Sequence, residues 1–194
     1  MEERELLQRF HEVLEISLPV IENAYKGFVT QKPALLKESK EKFKTILANR
    51  LSYVEKIVED KEKDEFEKKF VSLLPPFQMV GIAIQNVISN MEIKVEANVL
   101  FSQKGLDEIK ELLAMAYDLM RDVRDYTVTK NPHLLAKIKE GKEKIIKVIN
   151  DFSLVHQNRL ITGVCMPKAS YLYLDITESI KRISRGLADF AEKV

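Results

Sequence analysis

Apolar residues recur every three or four positions along almost the whole chain, the period of a helix buried on one side. Leu6, Phe10, Val13, Leu14, Ile21 and Ala24 mark one face of a first helix, with Pro19 a potential kink inside it. Phe43, Ile46, Leu47, Val54, Ile57 and Val58 mark a second helix, which runs into the charged stretch EDKEKDE. A third starts near Asp64, is expected to break at Pro75 and Pro76, and resumes to about Val99. After FSQKG, Ile109, Leu112, Leu113, Leu119, Met120 and Val123 predict a fourth helix. Leu134, Leu135, Ile138, Ile145, Ile146, Ile149 and Phe152 predict a fifth, running towards Gly163. Beyond GVCMP, Leu172, Ile176, Ile180, Ile183, Leu187, Phe190 and Val194 give the strongest amphipathic signal of all. No segment alternates like a strand, so the expected fold class is all-α.

Two phrases in this pattern repeat. VTQKPALL starts at Val29 and VTKNPHLL at Val128, with five of eight positions identical. Each falls between the first and second helix of a group of three, and its proline suits the first position of a helix, where an N–H has no partner to lose. The same offset of 99 pairs Val13 with Leu112, Leu14 with Leu113, Val20 with Leu119 and Ala24 with Val123. Further on, KESKEKF at Lys37 echoes KEGKEKI at Lys139, the offset having grown to 102. Together these predict two tandem three-helix units, residues 1–100 and 101–194.

Composition narrows the function. Of the 194 residues 45% are apolar and 31% charged, so a buried core is expected and disorder is not. Thirty-one basic residues against thirty acidic ones leave a net charge of +1, which removes the electrostatic case for a nucleic-acid partner. No window approaches the ~20 apolar residues of a membrane span, and the acidic, amphipathic start MEERELLQRFHEVLE is unlike a signal peptide. A cytoplasmic location follows as the expectation, peripheral docking to the inner face of a membrane included. Cys165 is the single cysteine, so no internal disulfide and no cysteine-rich metal site can form. Gly-rich phosphate loops, Gly-x-Ser-x-Gly and His-Glu-x-x-His are absent, and none of the three histidines has a glutamate three residues before it. No enzymatic activity is expected.

The segment HQNRLITGVCMPKASYLYLD, from His156 to Asp175, resembles the second repeat of PhoU-type phosphate-uptake regulators, and especially the PhoU domain of sodium/phosphate cotransporters. The shared pattern is carried by His156, Arg159, Leu160, Gly163, Cys165, Pro167, Ala169, Leu174 and Asp175, and the closing IKRISRGLADFAEKV is similar to the end of the family's last helix. The resemblance implies a six-helix PhoU-like bundle of two repeats, acting beside a phosphate transporter or its sensor kinase. In that family, Glu/Asp-x-x-x-Asp pairs hold iron or other divalent metals. At the corresponding positions this chain carries Lys181 and Arg185, Gln85 and Ser89, Ser39 and Phe43, and Gly141 and Ile145. Cationic and apolar side chains cannot supply the anionic oxygens of a hard cation, so the resemblance implies the fold and the context without a metal cofactor.

Outside that pattern, Asp118, Asp122 and Asp125 stand at one-turn spacing and could form a displaced cation site. A solvated helix face with Arg121 and Arg124 interleaved explains them equally. His156 and Arg159, also one turn apart, are candidates for anion or partner binding, against a packing and capping role at a helix end. Lys181, Arg182 and Arg185 form a basic cluster that could receive an acidic partner, with Glu178 and Asp189 available to pair with it. The expectation is a non-enzymatic PhoU-like regulator or adaptor of phosphate transport, working by protein–protein contact and compatible with a homodimer. The alternatives are a metal-binding helical protein, or a general scaffold that has lost the phosphate role.

Overall fold

The computed structural model describes residues 3–59 and 65–194, with side chains described from Leu7 onward apart from 49–67 and Phe70. The side chains of Leu6, Val54, Ile57 and Val58, and the start of the third helix at Asp64, therefore fall outside what is described. Six helices follow one another: α1 Glu3–Val29, α2 Pro33–Glu59, α3 Glu65–Glu96, α4 Gln103–Thr129, α5 Pro132–Ile161 and α6 Pro167–Lys193. Among the described residues there is no strand.

Helices that pack side by side run antiparallel across several pairs. Asn23 of α1 donates to Ser39 of α2, and Lys40 of α2 pairs with Glu92 of α3. Between the halves, His11 meets Thr127 and Glu15 meets Arg124, so α1 and α4 also cross in opposite senses. The broadest helix–helix contact joins α3 to α6. One continuous apolar core results, to which both halves contribute: Leu14, Phe28, Leu36, Leu73 and Ile88 from the first, Ile109, Leu112, Ile138, Ile180 and Phe190 from the second. At one end Phe10, Phe77 and Phe190 meet edge-on or tilted with centroids 4.8–5.3 Å apart, geometries that the ring quadrupole favours.

The two repeated phrases fold into the same backbone corner. Gln31 and Lys130, 99 residues apart, both take the left-handed conformation, with φ 54° and 50°. Thr30 and Thr129 both return their hydroxyls to the carbonyl four residues earlier, at Lys26 and Asp125. Pro33 and Pro132 then open α2 and α5. Val13, Leu112, Ala24 and Val123, matched by that offset, are all buried.

One expectation needs correcting. The third helix does not break at Pro75 and Pro76; it continues through both to Glu96. Pro76 has no N–H for the carbonyl of Ser72, and that carbonyl instead accepts from Lys193 Nζ of α6 at 3.1 Å, so a donor from the neighbouring helix replaces the missing backbone bond. The segment Val71–Glu96 is also long and apolar enough to cross a membrane by length and composition, and 56% of its 18-residue window is buried inside the protein. It is the helix packed against α1, α2 and α6, and that central position accounts for its apolar character.

Candidate functional site

The His156–Asp175 motif closes one end of the bundle. There α5 finishes in a Schellman turn. Gly163 takes φ +71°, its N–H reaches the Leu160 carbonyl, and Val164 N–H reaches Arg159. Glycine, lacking a Cβ, holds that φ at no steric cost. Pro167 then starts α6, and beside it α4 begins at the cap Ser102, whose hydroxyl accepts from Gly105 N–H at 3.1 Å. Two helix starts and one helix end therefore meet at the α5–α6 corner.

Beneath the corner lies a buried polar network. Arg159 of α5 grips Glu108 of α4 with both terminal nitrogens, at 2.7 and 2.6 Å. Tyr173 of α6 donates its phenol to the same carboxylate at 2.7 Å. The Glu108 side chain is fully buried and that of Arg159 is 11% exposed. A bidentate guanidinium and a phenol thus compensate a carboxylate withdrawn from water. The ion pair raises the Arg159 pKa well above its ordinary value, and burial, then Glu108, raises that of Tyr173. Arg159 Nε remains buried without a partner among the described residues.

His156 stacks on Tyr173 with centroids 4.3 Å apart, and its Nε2 lies 2.6 Å from Ser170 Oγ. Nδ1 faces Arg159 Nη2 at 3.4 Å. Because a guanidinium only donates, Nδ1 accepts and the ring proton sits on Nε2, which donates to the serine. Burial, then the charge of Arg159, lowers the His156 pKa, so the ring is neutral at pH 7. In this tautomer the His156–Ser170 bond fastens α5 to α6. Above it opens a pocket of 240 Å³ lined by His156, Ser170, Tyr173, Cys165, Phe101 and the exposed rim residues Leu100, Val164 and Met166.

Of the candidate residues, His156 and Arg159 are brought together, but facing inward. Both are engaged by protein partners, the arrangement of the packing alternative. Asp118, Asp122 and Asp125 do not converge. Asp118 pairs with Arg121 at 2.9 Å, Asp122 with Lys137 at 2.8 Å and Asp125 with Arg124 at 2.6 Å. Among the described residues no group of three or more His, Cys, Asp or Glu could hold a metal ion. Lys181 reaches Asn150 at 3.4 Å, Arg182 lies 3.7 Å from Glu178, and Arg185 is exposed. At the positions where the resembled family pairs carboxylates, Ser39 binds the Leu35 carbonyl and Phe43 and Ile145 are core residues.

Glu108, Ser170 and Tyr173 escaped the sequence reading. Glu108 follows Asp107 in the charged stretch Asp107-Glu108-Ile109-Lys110, so it reads as surface. The remaining signal was its place beside the apolar stripe of the fourth helix. Comparison with known proteins adds no identification: no family model, no curated protein and no solved structure matches the chain.

Proposed function

We propose that this chain is a non-catalytic helical adaptor that engages a protein partner through the α5–α6 corner, within the phosphate-transport context that its PhoU-like resemblance implies. The observation that carries the reading is the concentration of exposed apolar side chains there. Leu100, Leu154, Ile161, Val164, Met166 and Tyr171 stand 62–83% exposed, on the helix ends fixed from below by Glu108, Arg159 and Tyr173. Clustered exposed apolar residues on a rigid support are the usual core of a docking surface. On the outer face of α6, Arg182 and Arg185 supply exposed positive charge that suits an acidic rim on the partner. A phosphate transporter or its sensor kinase, met at the cytoplasmic side of the membrane, is the proposed partner.

The test is co-purification of the tagged chain with candidate phosphate permeases and sensor kinases, alongside phosphate uptake in a deletion strain. Retention of one of these that is lost in Ile161→Asp/Met166→Asp, with the thermal melt unchanged, is expected. Uptake unaltered at both high and low phosphate, with no such retention, overturns the proposal.

A further inference from the structure

We infer that the cleft where α1 and α4 cross is a binding site for a lipophilic organic cation, an amine or quaternary ammonium with a compact apolar body. The inference is independent of the corner described above and of the phosphate reading. The cleft measures 340 Å³. Native interiors seldom leave gaps larger than a water molecule, and small-molecule sites start at about 300 Å³.

Its origin lies in short side chains brought together by the fold. At this crossing the two helices present Ala24, Ala114 and Ala116, side chains too short to close the space between them. The floor is supplied by α3, through Ile84, Val87, Ile88 and Met91, with Ile183 of α6 behind. These branched chains and a thioether form an adaptable apolar bed.

The chemistry of the mouth selects the ligand. Glu22 and Tyr25 stand on α1, Tyr117 and Asp118 on α4, and no lysine, arginine or histidine is among the described residues that line the cleft. Asp118 shares its charge with Arg121 at the exposed surface. Glu22 is exposed as well. With Asp118 held by Arg121, the Glu22 carboxylate leaves the mouth of this apolar cleft net negative, which attracts a cationic head and repels a carboxylate or sulfate. Two phenol rings at the same mouth add faces to which a cation is drawn. A fatty acid would meet the wrong sign of charge, and a neutral body would leave the carboxylates unused.

Three probes with the same ten-carbon chain separate these cases below their micelle concentrations: decyltrimethylammonium, decanol and decanoate, titrated by calorimetry. Saturable one-to-one binding of the ammonium is expected, at least tenfold tighter than decanol, with decanoate weaker still. Glu22→Gln/Asp118→Asn should bring the ammonium to within about twofold of decanol while leaving decanol unchanged. Ala114→Phe, at an exposed lining position where the larger ring does not disturb the core, should abolish binding of the ammonium. Equal affinity for all three heads, or ammonium binding that survives Ala114→Phe, overturns the inference. So does absence of saturable binding, or a cleft closed by a second copy of the chain in concentration-dependent dimers.

Discussion

The α1–α2 and α4–α5 corners are spelled with nearly the same eight residues and share one backbone path, yet they are fastened differently. At the first, Gln31 returns its amide to the Phe28 carbonyl and accepts from Lys94 Nζ at 2.6 Å, drawing in the end of α3. At the second, Lys130 donates to the carbonyl of Val194, drawing in the end of α6. The left-handed residue ties its corner to the third helix of its own half in both cases, with the donor and acceptor exchanged. Only the second corner has a side-chain cap: Asn131 Oδ1 accepts from His133 N–H at 2.9 Å, whereas Lys32 stands at the matching place in the first. Backbone geometry is thus shared between the halves, while the polar contacts that secure it are particular to each.

The same contrast holds on a larger scale and can be broken by measurement. The Glu108 carboxylate is fully buried in its ion pair, but the residue 99 positions earlier is the exposed Arg9. Arg159→Met should leave the Glu108 carboxylate buried without its guanidinium and cost about 3–5 kcal/mol in urea denaturation. Arg9→Met, at an exposed position where a surface contact is worth at most about 1 kcal/mol, should cost far less. Glu108→Leu combined with Arg159→Met should recover most of the loss, because no buried charge is then left alone. A similar cost for Arg9→Met would mean that the halves are more alike than their contacts.

Glycines on α6 and α3 sharpen the comparison next. A Cβ on Gly186 would lie 2.7 Å from Val80 Cγ2 and 2.9 Å from the Pro76 carbonyl, and backbone does not move aside cheaply. Gly186→Ala should therefore destabilise by about 1–3 kcal/mol. On Gly81 the nearest atoms belong to the movable end of Leu47, so Gly81→Ala should stay within about 1 kcal/mol of the parent, helped by alanine's helix propensity. Thermal melts of the two variants test this directly.

At the corners themselves, Asn131→Ala should cost about 1 kcal/mol for the lost cap, while Lys32→Ala should have no capping loss to show. The smallest expected effect is with pH. Burial lowers the folded pKa of His156 below its ordinary 6.5. The unfolded chain therefore binds the additional proton first as pH falls. The histidine's contribution is complete above pH 6.5 and declines as pH drops below it towards the folded value. Denaturation midpoints between pH 7.5 and 5 should fall less steeply in His156→Asn than in the parent.

Much of this architecture was legible along the chain. Helical periodicity gave six helices, and the paired phrases located two corners that turn out alike, because a helix face and a Pro-led corner are written in neighbouring residues. The prolines of α3 misled for a complementary reason. Pro76 removes a local hydrogen bond, and the donor that satisfies Ser72 lies on Lys193, far away in sequence. The same distance hid the polar network. His156 and Arg159 stood out in the sequence, but Glu108 and Tyr173 became their partners only when α4, α5 and α6 were brought to one end of the bundle. Sequence alone determined the helices, their amphipathic faces and the turns between them, since these depend on contacts within a few residues. Tertiary structure decided which charged groups are buried, which way His156 and Arg159 face, and that the alanines of α1 and α4 leave a cleft, since burial and pairing are properties of surfaces that meet only in the folded chain.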